Sequence, residues 1–397
     1  MNKGISGRIA SAFIDSKLTI LLMLALMIIG VYSSSLIPRE EEPQIIIPMA
    51  DVMVGYPGAS PKEVESRVVK PLEKIISNIK GVEHIHSMAG NGHAMLIVQF
   101  YVGEDTERSY VKLYDELMKH MDIFPEGATL PMVKTRTIDD VPMLALTLWS
   151  DNYDDFQLRQ IGEELSSEVK KIKDVSLTNI IGGRPRQLKV ILDKDKMAES
   201  NVDALSIMQM IQANNGSSQS GSFNVGDTEF LLTTGEFIST AEDLEGLVIG
   251  TSQSMPVYLK QVAAIEDGPS TPKNYVSFGY GNSNESSKEF KSEYPAVTLA
   301  VSKVKGADAM QISSKILDKV EEMKLDLIPL DVNVEVTRNY GETASEKVSE
   351  LLTHLLVAII AVTILVMLAM GWRGGLVVFL SVPLTFALTL FSYYVLG

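Results

Sequence analysis

Three long apolar runs divide this chain into segments suited to a lipid bilayer and a large segment suited to water. Residues 18–37, 351–370 and 376–396 contain no Asp, Glu, Lys or Arg. About twenty apolar residues in a helix, rising 1.5 Å per residue, span the ~30 Å hydrocarbon core of a membrane. The pattern therefore predicts three transmembrane helices. The first is expected to stay as an anchor, because its apolar run is longer than that of a signal peptide.

Between the first and second runs, strand–helix–strand patterns recur. A strand over 45–56 precedes Ser60, which is expected to cap a helix that continues to about Ile79, with Glu63 completing a capping box. Asn91-Gly92, between two alternating apolar stretches, predicts a hairpin. The other predicted elements are helices over 105–124, 154–172 and 308–324 and strands over 143–149, 175–181, 296–304 and 332–337. These units indicate ferredoxin-like βαβ subdomains, with helices on one face of a sheet.

Residues 183–267 differ in character from the units around them. A strand and a short helix over 202–213, capped by Asn201 or Asp203, precede the polar stretch 214–222. That stretch is too polar to build a core. Two interpretations stay open at this point: a flexible surface loop, or an arm that becomes ordered by packing on another subunit.

The charge distribution orients the predicted spans. Lys3, Arg8 and Lys17 against Asp15 give the N-terminal tail a net charge of +2, and only Arg373 charges the connection between the second and third runs. Of the 35 basic and 50 acidic residues, 31 and 49 then remain, a net charge of −18. Positive segments stay in the cytoplasm, so the N-terminus is expected inside and the large acidic block outside. This acidity argues against nucleic acid as a partner.

The chain carries none of the motifs of an enzyme or of a nucleotide-driven transporter. It has no cysteine and lacks Gly-x-x-x-x-Gly-Lys-Ser/Thr, His-Glu-x-x-His and Gly-x-Ser-x-Gly. We therefore expect no catalytic residue and no cofactor. Without disulfides, the exterior domain must be held together by packing alone.

Histidine and methionine are the residues that bear on a metal site. His93 is expected to pair near Gly90 across the hairpin, too far from His84 and His86 to share an ion with them. The 19 methionines are expected mostly to fill cores and spans. The sequence therefore predicts no metal site.

The order of elements and several short motifs resemble the resistance–nodulation–division (RND) efflux permeases, in their multidrug or acriflavine-resistance branch. Each motif is weak alone, but together they follow one order along essentially the whole chain. The resemblance is to the N-terminal portion of such a permease. The motifs are Ile37-Pro38-Arg39-Glu40, Tyr56-Pro57-Gly58-Ala59-Ser60-Pro61-Lys62-Glu63-Val64-Glu65, Pro71-Leu72-Glu73, Gly81-Val82, Gln212-Ala213-Asn214-Asn215, and Trp372-Arg373 followed by Pro383.

The resemblance implies membrane α-helical spans plus an α+β periplasmic domain, in which ferredoxin-like βαβ porter subdomains carry an inserted docking subdomain. The implied divisions are the cytoplasmic tail and first transmembrane helix (1–37), the first porter subdomain (38–130), the second porter subdomain in two parts (131–182 and 268–340), the docking subdomain with its arm (183–267), the second transmembrane helix (341–370), a cytoplasmic hinge (371–375) and the third transmembrane helix (376–397).

The resemblance also implies surroundings and partners. It implies a multi-pass protein of the bacterial inner membrane with a large periplasmic domain and a cytoplasmic N-terminus. The expected partners are two further copies in a homotrimer, a periplasmic adaptor protein, an outer-membrane channel and the lipid bilayer. The expected activity is proton-driven export of small amphiphilic substrates such as drugs, detergents or bile-salt-like compounds.

By position, the resemblance points to Ile181, Tyr275 and Phe278 as substrate-binding candidates in an apolar, aromatic-lined cleft. In the family, paired aspartates on a fourth span carry the proton. The three predicted spans hold no such group, so no proton-relay residue is expected in this chain and the relay is expected beyond residue 397. The resemblance assigns the intersubunit arm to residues that include Asn214, Asn215, Gly216, Gly221 and Phe223.

Two other functions remain as alternatives. An RND heavy-metal exporter would need a cluster of methionines facing its transport path, because soft metal ions prefer thioether ligands. A membrane-anchored periplasmic binding or assembly module without transport of its own would share the anchor and the exterior domain.

Overall fold

The computed structural model describes residues 13, 16, 18–41, 45–226, 228–252, 255–281 and 293–396. The basic tail used above to orient the chain, including Lys3, Arg8, Asp15 and Lys17, lies outside the described residues. The first apolar run forms helix α1, Leu18–Leu36, of 19 residues.

A first αβ unit follows α1, in the order β-α-β-β-α-β. The four strands form one sheet in the order β2-β3-β1-β4, and each neighbouring pair is antiparallel. Strand β4 was not predicted; its signal is weak because its side chains are mostly exposed. The elements are β1 (Met49–Gly55), α2 (Pro61–Val64), α3 (Lys70–Ile76), β2 (Val82–Gly90), β3 (His93–Phe100), α4 (Thr106–Lys119) and β4 (Met132–Arg136).

The helical segment after β1 begins as the sequence predicts. The Ser60 hydroxyl accepts from the Glu63 amide, and the Glu63 carboxylate accepts from the Ser60 amide, which completes the capping box. Between α2 and α3 the helix widens into a π-helical turn over Glu65–Val69. Pro71 has no amide hydrogen to donate within the helix, so a widened turn just before it is physically reasonable.

The predicted hairpin is confirmed. Gly90 pairs with His93 across a two-residue turn of Asn91 and Gly92, and Gly92 has a φ of +72°. Glycine adopts this left-handed conformation at little cost, which is why Asn-Gly is a strong hairpin signal.

A second αβ unit has the same strand order but is interrupted in the middle. Its sheet runs in the order β6 (Val175–Ile181), β14 (Tyr294–Lys303), β5 (Leu144–Trp149) and β15 (Asn333–Asn339), with the short β13 (Ser277–Phe278) beside the start of β14. The second unit thus repeats the first, with a long insertion where the first has the Asn91-Gly92 turn. Before the insertion come β5 (Leu144–Trp149), α5 (Asp155–Val169) and β6 (Val175–Ile181).

The insertion is tied to the second unit by a two-stranded stem. Its first and last strands pair antiparallel over seven residue pairs, from Arg186 with Pro269 to Leu192 with Ala263. A separate core around Ile207 lies beyond the stem. The elements are β7 (Arg186–Leu192), α6 (Lys194–Ser200), α7 (Ala204–Asn214), β8 (Ser218–Val225), β9 (Thr228–Thr234), α8 (Ala241–Glu245), β10 (Val248–Ser252), β11 (Met255–Tyr258), α9 (Leu259–Val262) and β12 (Ala263–Pro269).

The second unit is completed after the insertion, and two long apolar helices follow. These two helices are long and apolar enough to cross a membrane, whereas α1 is apolar but shorter. The remaining elements are β13 (Ser277–Phe278), β14 (Tyr294–Lys303), α10 (Ala309–Asp326), β15 (Asn333–Asn339), α11 (Tyr340–Met370) and α12 (Trp372–Leu396).

The connection between the two long apolar helices is shorter than the sequence predicts. The predicted connection over 371–375 is reduced to Gly371, because α12 begins at Trp372.

Helices α1 and α12 approach so closely at Gly30 that a Cβ added there would lie 2.2 Å from the Cβ of Ala387. Small residues permit such close helix contacts in membranes.

Among the described residues, α-helices cover one face of each sheet and none covers the other face. In the first unit, Val52 and Leu96 belong to the buried core together with Leu72 and Leu113 of the helices. Because side chains alternate along a strand, Asp51 must point to the opposite, helix-free face.

Asp51 is nevertheless buried, with only 1% of its surface exposed. Its Oδ2 accepts from Arg136 Nε at 2.6 Å and also contacts Arg136 Nη2. Its Oδ1 is buried without a hydrogen-bond partner among the described residues. Arg136 is therefore the group that compensates the buried charge.

Replacing Arg136 with alanine should lower the free energy of unfolding by about 1–3 kcal/mol, because a buried carboxylate would lose its charged donor. The measurement is guanidinium unfolding of the purified chain in detergent. Lys134→Ala is the matched control. Lys134 lies on β4 with Arg136, pairs in register with Asp51 of β1, and has an exposed side chain. Equal losses for the two variants would contradict the assignment.

Candidate functional site

The three predicted substrate-binding residues lie near the junction of the second unit and the insertion. Ile181 ends β6 and is 46% exposed, and Tyr275, just before β13, is 83% exposed. Phe278 is half-buried and stacks on Trp149, with ring centroids 5.2 Å apart. The structure therefore places the three on neighbouring segments without joining them in one pocket.

Two adjoining clefts flank the linkers that enter and leave the stem. One has a volume of about 620 Å³ and includes Tyr275 in its wall; the other has a volume of about 630 Å³ and includes Ile181. They share Gly183, Arg184 and Asn274. Both volumes fall in the range of small-molecule sites. We call the pair the root clefts.

Arg184 fixes the charge at the boundary between the root clefts. Its Nε donates to both carboxylate oxygens of Asp155, at 2.8 and 2.9 Å, and its Nη2 lies 3.3 Å from an oxygen of Asp154. The hydrogen bond with Asp155 is the main reason that the pKa of Arg184 is raised above its ordinary value, and the charges of Asp155 and Asp154 add to it. The linker is therefore held against the N-terminus of α5 rather than free to fold over the clefts.

An aromatic cluster lies beside the root clefts, on the helix-free face of the second sheet. Its members are Trp149, Phe278, Tyr280 and Tyr294. Tyr280 meets Phe278 edge-on at 5.1 Å, and Tyr294 lies 4.6 Å from Trp149. Tyr294 also lines the cleft that contains Tyr275. Trp149 and Tyr294 are buried, with 3% and 5% of their surface exposed, so the accessible aromatic faces are those of the half-buried Phe278 and Tyr280. Such faces bind apolar rings and organic cations.

A polar row crosses the same face next to the aromatic cluster. In register, Ile181 pairs with Thr298, Thr298 with Thr147, and Thr147 with Glu335. The hydroxyls of Thr147 and Thr298 are 2.9 Å apart. The row therefore joins the predicted residue Ile181 to a carboxylate on the opposite edge strand.

Glu335 connects the polar row to the aromatic cluster. The Tyr280 hydroxyl donates to a Glu335 carboxylate oxygen at 2.8 Å. Burial, then this hydrogen bond and the Glu335 charge, raise the pKa of Tyr280 to about 12. An aromatic surface with a carboxylate at its edge is suited to a molecule that combines apolar rings with a positive charge.

The polar stretch 214–222 is not an irregular loop along its whole length. Asn214 ends α7, the Asn215 side chain accepts from the Ile238 amide at 3.0 Å, and Gly216 precedes a hairpin of β8 and β9. Gly221 lies at a bulge in that hairpin. Residues 218–222 therefore belong to β8 rather than to an irregular loop.

The β8–β9 hairpin carries apolar side chains into solvent. Phe223 stacks on Phe230 at 5.4 Å, and these two rings are 54% and 47% exposed. Val225 and Leu231 are also exposed. A two-stranded hairpin is marginally stable by itself, and exposed apolar side chains grouped together mark a contact surface.

Sequence reasoning missed Trp149, Tyr280, Tyr294 and Glu335. The pairing of β5 with β14 and β15 brings three of them together across more than a hundred residues of sequence. The one available signal was the density of aromatic residues around Tyr275, which already included Phe278. No group of three or more His, Cys, Asp or Glu side chains suited to a metal occurs within the ranges that the structure describes.

Comparison with known proteins identifies relatives along nearly the whole chain. A family model described as the AcrB/AcrD/AcrF family matches residues 9–397. The proteins named Multidrug resistance protein MdtC from Yersinia pseudotuberculosis serotype O:1b and from Yersinia pestis bv. Antiqua are each 24% identical to it over 382 residues. The match covers 96% of this chain and 36% of each relative, so the chain spans about a third of their length.

Ionisation of Tyr280 tests the contact between the polar row and the aromatic cluster. We expect a pKa of about 12 by ¹³C NMR titration of labelled tyrosine, with Tyr280→Phe assigning the signal. Glu335→Gln should lower this pKa but leave it above the usual ~10, because burial remains. A raised folded-state pKa means that Tyr280 stabilises the fold below pH ~10 and loses this contribution as the pH rises towards 12. An unchanged pKa in Glu335→Gln would refute the contact.

Proposed function

The chain belongs to the AcrB/AcrD/AcrF family of RND efflux permeases, and from this premise we propose that it forms the substrate-handling part of a proton-driven exporter of amphiphilic compounds. The family consists of inner-membrane transporters rather than enzymes. The MdtC relatives are named as multidrug resistance proteins, which supports drugs or related toxic compounds as the exported class.

The aromatic cluster carries this proposal. Phe278, which stacks on the buried Trp149, offers the accessible aromatic surface, and Glu335 places a carboxylate at its edge through Tyr280. Ile181 lies at the other end of the same row of side chains as Glu335. A substrate with apolar rings and a cationic group would contact Phe278 and Ile181, with Tyr275 at the mouth of the root clefts.

The domain organisation supports a porter assembly. The order β-α-β-β-α-β, with strands arranged β2-β3-β1-β4, supports ferredoxin-like subdomains for the first unit and for the second. Because β4 (Met132–Arg136) pairs with β1, the first subdomain extends past the predicted boundary at 130 to about 136, and the second comprises about 137–182 with 268–340. The insertion over 183–267 would be the docking subdomain. We place these parts in the periplasm, with the N-terminus in the cytoplasm.

The β8–β9 hairpin supports a homotrimer. In this proposal the exposed hairpin, with Asn214 to Gly216 at its base and Gly221 and Phe223 along it, packs into a neighbouring protomer and covers the stacked phenylalanines. A periplasmic adaptor and an outer-membrane channel would complete the export path. Proton-carrying groups would lie outside 18–36, 351–370 and 376–396, which hold no Asp, Glu, Lys or Arg.

Binding of an amphiphilic cation tests the aromatic cluster directly. The chain has two tryptophans, so Trp372→Phe leaves Trp149 as the sole fluorescent reporter. In that background we expect rhodamine 6G to quench Trp149. Phe278→Ala should weaken the binding about three- to tenfold, because an aromatic pair contributes about 0.5–1.5 kcal/mol.

The matched control for dye binding is Phe237→Ala, because Phe237 is 69% exposed and lies in the insertion. Its affinity for the dye should equal that of the parent. Glu335→Gln should weaken binding of the cationic dye more than binding of a neutral analogue. If Phe278→Ala and Phe237→Ala bind the dye equally well, the cluster is not the substrate surface.

The role of the hairpin is tested by oligomeric state. Phe223→Ser with Phe230→Ser removes the stacked pair from the exposed surface, and we expect the trimer to dissociate towards monomer in native mass spectrometry from detergent. The control is Phe237→Ser, which changes a still more exposed phenylalanine outside the hairpin. A trimer that survives the double change, or a parent chain that is monomeric at all concentrations, would contradict the arm assignment.

A further inference from the structure

The helix-free face of the first sheet carries a continuous row of four methionines. In register, Met88 of β2 pairs with Met95 of β3, Met95 pairs with Met53 of β1, and Met53 pairs with Met132 of β4. One methionine from each strand thus lies at the same level of the sheet. We call these four residues the methionine row.

The methionine row is not part of the core. The core side of β1 and β3 is occupied by Val52, Val54, Ala94 and Leu96, and alternation places Met53 and Met95 on the opposite face. Met88 and Met132 are 54% and 51% exposed. The expectation that methionines fill cores is therefore wrong for these four, and they need another explanation.

The spacing allows neighbouring thioethers to meet at one ion. Side chains directly opposite each other on antiparallel strands have Cβ atoms about 4.5–5.5 Å apart. Methionine is unbranched and has three rotatable bonds, so sulfur atoms from adjacent strands can converge. Thioether sulfur is a soft, uncharged ligand that favours Cu(I) over hard divalent ions.

His93 lies next to the row on the same face. It precedes Met95 by two residues on β3 and pairs with Gly90, which follows Met88 by two residues on β2. Its ring covers Gly90: a Cβ built on that glycine would lie 2.3 Å from His93 Cε1. Because Gly90 has no side chain, the imidazole of His93 can lie over β2, the strand that also carries Met88.

The hydrogen bond of His93 determines which nitrogen is available. Its Nδ1 lies 3.0 Å from the carbonyl oxygen of Asn91. A carbonyl only accepts, so Nδ1 carries the proton and, in the neutral ring, Nε2 keeps its lone pair. Histidines that bind metals commonly donate their other N–H to a backbone carbonyl in this way.

We propose that Met53, Met88, Met95 and the Nε2 atom of His93 form a binding site for a soft monovalent metal ion, Cu(I) or Ag(I). Asp51, two residues before Met53 on the same face of β1, is engaged by Arg136, which leaves neutral sulfur and nitrogen donors to select a soft ion of low charge. The site is distinct from the root clefts and the aromatic cluster, and it does not depend on the proposed export of amphiphiles.

Silver binding to the purified full chain tests the site. In chloride-free buffer, calorimetric titration with Ag⁺ should show one ion per chain, and labelled methyl signals of Met53, Met88 and Met95 should shift together. Met53→Leu with Met95→Leu conserves volume and should weaken Ag⁺ binding about tenfold or more. Zn²⁺ should not bind at the same concentrations.

The control is Met118→Leu with Met255→Leu, which makes the same two replacements at exposed methionines away from the row. These changes should leave Ag⁺ affinity unaltered. Circular dichroism shows whether each variant folds; if the double row variant does not, Met88→Leu and His93→Gln serve in its place. Absence of Ag⁺ binding by the parent, or equal affinity in the row and control variants, would overturn the proposal without affecting the dye-binding test.

Discussion

In each αβ unit the described helices cover only one face of the sheet, and this one-sided packing controls where ligands can be bound. Leu146 and Leu299 of the second sheet meet the helices, so Thr147 and Thr298 must point away from them. The helix-free face carries a buried ion pair in the first unit. In the second unit it carries a small buried cluster of Trp149, Tyr294 and Ala296, against which Phe278 and Tyr280 pack, with the Glu335 carboxylate at its edge.

The insertion gives the second unit a feature that the first lacks. Both units have the same strand order, but the first joins its central strands by the Asn91-Gly92 turn, whereas the second sends the chain out along the stem of β7 and β12 and back. The linkers at the base of this stem form the root clefts, next to Trp149 and its partners. Repetition with an insertion thus converts a closed turn into a concave surface large enough for a small molecule.

Local signals in the sequence predicted local structure well. The capping box at Ser60 and the hairpin at Asn91-Gly92 depend on residues a few positions apart, and both are present. The sequence does not distinguish a strand from a loop at the start of the β8–β9 hairpin, because the polar first strand lacks an alternating apolar pattern. The methionine row and the contact of Tyr280 with Glu335 depend on register between strands far apart in sequence, which composition and periodicity do not encode.

In the proposed function, the exported molecule binds to the helix-free face of the second sheet. The most direct measurement is a crystal structure of the chain with a brominated amphiphilic cation, in which anomalous scattering locates the bromine. We predict the bromine signal and the aromatic body of the ligand against Phe278, which stacks on the buried Trp149, with the cationic group near Glu335. A well-ordered ligand bound elsewhere, with the aromatic cluster unoccupied, would contradict it.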